Sequence, residues 1–176
     1  MEQDLKFPIG KFQWVETLTT DERTNCIGVI EGAPAQLAAA VANLSAEQLD
    51  TSYRDGSWTV RQVVHHLADN DMGAFARCKF ALTEEEPTIK TYKEKLWAEL
   101  PDGKIAPIEP SLAIFENVHK RWGILLRSLS ESDWAKKLVH PARGIMTVDC
   151  NVALYSWHAR HHIAHITSLR ERKGWK

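Results

Sequence analysis

The chain has 176 residues, 44% apolar and 26% charged, with 22 basic against 23 acidic side chains and a formal net charge of -1. That size supports one folded domain, residues 1–176, with its own core, and the balanced charge excludes a broad basic face for nucleic acid or anionic lipid. No apolar run reaches the roughly 20 residues of a membrane span, and the start, MEQDLKFPIGKF, lacks the apolar stretch of a secretory signal, so a cytoplasmic protein with no membrane partner is expected.

Helical periodicity runs through nearly the whole chain. A first helix is expected from near Thr20, capped by Thr20 and Asp21, with Ile27, Ile30, Leu37 and Val41 among its apolar positions. Pro34 falls inside it; proline lacks an N–H and crowds the preceding turn, so a kink or restart is expected there. Ser45 and Gln48, three apart, resemble a capping box. Thr59 is the expected N-cap of a second helix reaching about Leu82, with a buried stripe through Val60, Val63, Val64, Leu67, Phe75 and Phe80. Three glutamates and Pro87 stop it.

Residues 87–110 hold four prolines and one helical stretch at 94–100, which reads as a long crossover, because antiparallel neighbours need only a short loop. A third helix follows from Ser111 to Leu129. The segment LVHPARGIMTV has β-branched residues around a Pro/Gly turn and is expected to form a small hairpin. Asp149 then caps a fourth helix from Cys150 to Lys173, closed by Gly174. The expected fold is all-α: a four-helix bundle with a long crossover between the second and third helices and a small hairpin before the fourth.

Histidine is the unusual residue. Of eight, six fall in two clusters, His65-His66 and His158, His161, His162, His165. Cys26, Cys78 and Cys150 lie far apart and read as small buried residues, not as a disulfide framework or thiolate site. At 100° per residue the four later histidines share a face of about 100° with Leu154, Tyr155 and Leu169, the face turned to the bundle interior. Burial drives imidazoles to neutrality and leaves each a free lone pair. Neutral imidazoles converging on one point suit a divalent ion such as zinc or nickel.

His158 and His162, four apart, can reach one ion. A third ligand is expected from the second helix, where the core stripe favours His66 over His65. Asp69 and Asn70, one turn on, are candidates to orient the second nitrogen of His66. A lone i, i+4 pair is a weak signal; two clusters on two helices of one bundle are a stronger one, and without a metal they would make a pH switch. His119 and His140 are isolated and receive no role. Trp58, Trp122 and Trp157 read as core, while Arg54 and Arg160 are candidates to bind an anionic substrate group. Three imidazoles and no carboxylate leave an ion its full double charge and an open position, which suits activation of water for hydrolysis or of a thiol for transfer.

The segments YRDGSWTVRQVVHHLADND and WHARHHIAHITSLRERKGW, with FPIGKF and LTEEEPTIKTY, resemble the YfiT branch of the DinB-like superfamily over nearly the whole chain. The resemblance implies a cytoplasmic bundle of up-down-down-up type, often a homodimer, with a metal held by three histidines. Its ligand pattern, the second histidine of HHLAD and the two of HxxxH, falls on His66, His158 and His162. Arg160 stands where relatives carry histidine, outside those ligands. The implied activity is metal-dependent hydrolysis of a small-molecule substrate, with transfer of a low-molecular-weight thiol such as bacillithiol as the alternative. In either case one divalent ion, zinc or nickel, is implied. The roles of His65, His161 and His165 stay open, and a metal-stabilised sensor or interaction bundle is the non-enzymatic alternative.

Overall fold

A computed structural model describes residues 4–175; residues 1–3 and 176, the ends of the expected domain, lie outside it. Four long helices form the bundle: α1 (Thr20–Val41), α3 (Val60–Thr83), α6 (Glu109–Arg127) and α8 (Val148–Lys173). Short helices α2 (Ala46–Leu49), α4 (Glu94–Trp97), α5 (Pro101–Ile105) and α7 (Glu131–Trp134) lie in the connections, and strands β1 (Lys137–His140) and β2 (Gly144–Thr147) form the expected hairpin. Gly144 closes its turn at φ +79°, a conformation that strains any side chain with a Cβ.

Local chemistry sets the helix starts. Thr19 and Glu22 form a capping box on α1, and Thr59 and Gln62 form one on α3. The cap of α1 is therefore Thr19, not the expected Thr20 and Asp21. Thr147 caps α8 in place of the expected Asp149, which sits in the first turn and is bound by the buried Arg23 of α1 at 2.8 Å.

Neighbouring helices are α1 with α8, α8 with α3, α3 with α6 and α6 with α1, so the sequence neighbours α1 and α3 lie across the bundle's diagonal. Side-chain contacts give the directions. Arg23 meets Asp149 near both N-termini, while Arg170 of α8 donates to the carbonyl of Ala40 near the C-terminus of α1, so these two helices run parallel. His65 meets Ser111 near the starts of α3 and α6, and Phe75 packs on Trp122 further along, so this pair is parallel as well. His66 meets His158 and Arg77 meets Tyr155, so α3 and α8 are antiparallel. The order is up-down-down-up. Parallel α3 and α6 need a connection that returns the length of a 24-residue helix, about 36 Å, and residues 84–108 supply it. This is the expected crossover, with two short helices where one was expected.

Of the kink or restart expected at Pro34, the restart does not occur: α1 is one continuous helix. Pro34 cannot donate to the carbonyl of Ile30. That carbonyl accepts instead from His119 Nδ1 of α6, at 2.5 Å, so the bond the proline removes is restored from another helix.

Residues 4–18 run over α8 without regular structure. Trp157 donates to the carbonyl of Gly10, Thr147 to that of Glu16, and Leu18 N–H to Asp149. Two apolar clusters fill the interior, one around Trp122, Leu138 and Tyr155, the other around Leu37, Leu67 and Phe115. The histidines lie near their boundary. Among the described residues no helix is long and apolar enough to cross a membrane.

Candidate metal centre

Helix α3 carries His66 in its second turn, and the antiparallel α8 brings His158 and His162 opposite it. One ring nitrogen from each of the three lies within 4.8 Å of the others. His66 Nε2 and His158 Nε2 are 3.2 Å apart. Two nitrogens bound at about 2.1 Å around a tetrahedral ion stand roughly 3.4 Å apart, so this spacing fits shared coordination. His162 Nδ1 is buried without a hydrogen-bond partner. Burial pulls His66 down to about 4 and holds His158 and His162 well below the usual histidine range, with neighbouring imidazoles adding to the effect. Neutral rings with converging lone pairs are the donor set a divalent cation requires.

The orienting groups differ in part from expectation. Asn70 lies at the centre: its Nδ2 is 3.3 Å from His158 Nδ1, and its Oδ1 accepts from the Tyr92 hydroxyl, which also lies 3.4 Å from His66 Nδ1. Asp69 does not join it. Half-buried on the side of α3 facing the crossover, it has Asp102 as its charged neighbour, and burial together with that charge raises it to about 6. His65 likewise faces the crossover, bonded to Ser111 and the carbonyl of Ala106.

Asp71, which the sequence reading passed over, is fully buried. Its Oδ1 lies 3.9 Å from His158 Nδ1 and its Oδ2 2.8 Å from His119 Nε2. A shift of about 1 Å brings the first to hydrogen-bond distance, which would fix His158 with Nε2 toward the centre. The legible signal was its position: Val60, Val64, Leu67, Asp71, Ala74 and Cys78 make one stripe, and a carboxylate there has to be buried. Tyr92, reached from the crossover, carries no such periodic signal.

The shared face of four histidines divides in two. His158 and His162 look toward α3. His161 stacks on Trp157 and meets Phe7 of the N-terminal segment, and His165 stacks on Tyr53 at 4.0 Å with Nε2 near the carbonyl of Lys6. These two belong to the packing of residues 4–18 and the α2–α3 loop.

A cleft of about 690 Å³ opens onto the three histidines. Trp58 and Trp157, expected in the core, form its walls, with the Trp58 ring 4.6 Å from that of His66. Trp122 is core as expected. Arg54 and Arg160 do not line the cleft; its cations are Arg77 and Arg143. The chain's own thiols are no nucleophiles here, since burial raises Cys26 and pushes Cys78 and Cys150 up to about 11, and none of the three lines the cleft.

Acid sensitivity of the metal-free protein follows from these burials. An imidazole in an unfolded chain titrates near 6.5, whereas His66, His161 and His165 in the folded protein are held near 4. Between those values the unfolded chain takes up protons that the folded chain refuses. Stability is thus full above about pH 6.5 and falls as the pH drops toward 4. Asp69 and Asp71, raised by burial, act in the opposite sense, but they are two against seven depressed histidines. Thermal melts of the metal-free protein should move down between pH 7 and 5; a flat profile would contradict the assignment.

The chain has known counterparts along nearly its whole length. The DinB superfamily sequence pattern matches residues 30–166. A Bacillus mycoides protein is 50% identical over 173 residues, covering 98% of this chain and 99% of its own, and an Oceanobacillus iheyensis protein is 51% identical over 170 residues, covering 97% and 98%; both carry the name "putative metal-dependent hydrolase". Among solved structures, YfiT from Bacillus subtilis, described as a probable metal-dependent hydrolase with an unusual four-helix bundle topology, superposes with a TM-score of 0.96 at 46% identity, over 98% of this chain and 99% of that one. The chain belongs to the DinB superfamily.

Proposed function

We propose that the protein is a metal-dependent hydrolase of small molecules, with His66, His158 and His162 holding one divalent ion. The observation that carries this reading is the convergence of three neutral imidazoles, from two helices, on the cleft. Zinc suits an all-imidazole set best, and nickel is the alternative. When bound, the ion supplies Lewis acidity, lowering the pKa of water and polarising a carbonyl.

The remaining work falls to the chain. Asn70 holds the Tyr92 hydroxyl through Oδ1, and the Tyr92 oxygen can in turn accept from His66 Nδ1–H, which leaves His66 Nε2 its lone pair and holds that ring before an ion or substrate arrives. Burial raises Tyr92 well above its ordinary value, so it keeps its proton and acts as a donor. Trp58 and Trp157 give the substrate apolar walls that exclude water. The cleft's volume falls within the roughly 300–1,000 Å³ of small-molecule sites.

The test is elemental analysis of protein purified without a nickel column, followed by assays of the metal-loaded protein on ester and amide panels and, separately, on thiols with a reporter electrophile. About one divalent ion per chain and thiol-independent hydrolysis are expected. Turnover only with a thiol present would replace hydrolysis by thiol transfer, and no turnover with a bound ion would leave the sensor reading. A homodimer belongs to the same proposal and is checked by sedimentation.

A further inference from the structure

The cleft extends beyond the histidines toward the start of α8 and the hairpin turn, and its lining there is cationic and unpaired. Arg77 of α3 is only 9% exposed, yet neither it nor Arg143 of the hairpin turn has a carboxylate partner among the described residues. The Arg77 guanidinium bonds Tyr155 through Nη1, which leaves most of its five donors unused. Asn151, 1% exposed and one turn before Tyr155, also lines the cleft, and its Nδ2 is buried with no acceptor. The remaining Arg77 donors open onto the cleft with no counter-ion, and the buried amide donor of Asn151 is costly without an acceptor, so an acceptor group in the cleft would satisfy both. His140 registers the same positive field, being pushed down by burial and then by Arg77 and Arg143. Glu94, the one carboxylate in the cleft lining, is exposed and acts on Tyr92 at the histidine end.

We propose that Arg77, Asn151 and Arg143 form a subsite for an oxyanion, a carboxylate or phosphate group carried by the substrate. Arg77 supplies a planar fork suited to two oxygens, Asn151 a neutral donor, and Arg143 a flexible cation that closes from the rim. Asn151, Tyr155, His158 and His162 follow one another on α8 at spacings of four, three and four, so the subsite and the histidine centre share one face. Seven residues separate Asn151 from His158, a rise of about 10 Å. The substrates selected are therefore small acids whose scissile group is several bonds away from their anionic group.

The proposal rests on the hydrolytic reading of the histidine centre, and its test separates the two. Metal-loaded protein is assayed on the p-nitrophenyl monoester of adipic acid and on its neutral methyl-capped counterpart, and binding of free adipate and of inorganic phosphate is measured by calorimetry. Wild-type protein should prefer the acid ester by about tenfold in kcat/KM, through KM. That ratio should fall to about one in Arg77→Met and Asn151→Leu, recover in part in Arg77→Lys, and stay unchanged in Arg160→Gln. Arg143→Gln, on an exposed turn, tests the same ratio without burdening the fold. Adipate binding lost in Arg77→Met while neither ester is hydrolysed would keep the subsite and remove the hydrolase. Hydrolysis without preference, or anion binding that Arg77→Met, Asn151→Leu and Arg143→Gln all leave intact, would overturn the subsite. Phosphate binding without adipate binding would assign it to phosphate esters.

Discussion

His66→Ala protein is expected to fold and to carry no divalent ion, where the wild type carries about one per chain. Removing one of three imidazoles leaves His158 and His162, two nitrogens on adjacent turns of one helix, and a two-ligand site loses most of its affinity to bulk water. Stability reports the same loss. An ion present at about 100 times its dissociation constant stabilises the folded state by about 2.7 kcal/mol, which for a chain of this length moves the melting temperature by roughly 5–10 °C. That shift on adding zinc should vanish in His66→Ala, and hydrolysis should fall to background. His161→Ala is the matched control: it too removes a buried imidazole, but one stacked on Trp157 rather than turned to α3, so it should keep its ion and its zinc-dependent shift. Asn70→Ala should lie between, with affinity down about 10- to 100-fold, because the ligands remain but the Tyr92 hydroxyl beside His66 Nδ1 loses the acceptor that holds it. One ion bound with unchanged affinity in His66→Ala would remove the centre as drawn.

The contrast between His161 and His66 marks where sequence reasoning stops. Helical spacing places His158, His161, His162 and His165 within one arc, and that arc is real. It cannot show that the boundary between α3 and the N-terminal segment falls inside it, because that boundary depends on where residues 4–18 lie. The four long helices, the crossover, the hairpin and the turning of His66 rather than His65 toward α8 were legible because each rests on local periodicity, a cap or a turn residue. Asp71 and Tyr92 act through partners on other elements. Only Asp71 leaves a trace, a charge on an apolar stripe. Trp58 and Trp157 read as core because a large aromatic residue looks the same in a sequence whether it meets a packed interior or a cleft. Pro34 shows the converse failure: the local rule was right about the lost hydrogen bond and silent about a histidine 85 positions later that replaces it.

That replacement predicts the second large effect. His119 Nδ1 must carry the hydrogen, since the Ile30 carbonyl only accepts, so His119 Nε2 and Asp71 Oδ2 share a proton at 2.8 Å in a site where both residues are buried. His119 thereby joins α1, α3 and α6 at one point. His119→Ala leaves the Ile30 carbonyl without a donor and Asp71 without its partner, and removing one member of such a buried pair costs about 3–5 kcal/mol. A drop of roughly 8–15 °C in melting temperature is expected. The backbone share of that cost can be isolated through Pro34, whose replacement restores an N–H four residues after Ile30. In the wild type that N–H competes with His119 for a satisfied carbonyl, whereas in His119→Ala it meets an empty one. Pro34→Ala should therefore recover about 1 kcal/mol more in the His119→Ala background than in the wild type. Equal effects of Pro34→Ala in both backgrounds would show that the carbonyl of Ile30 is satisfied some other way. Asp71→Asn, which keeps the shape and removes the charge, separates the remaining share: a smaller stability loss than in His119→Ala, joined to weaker metal affinity, would show that Asp71 acts on His158 as well as on His119.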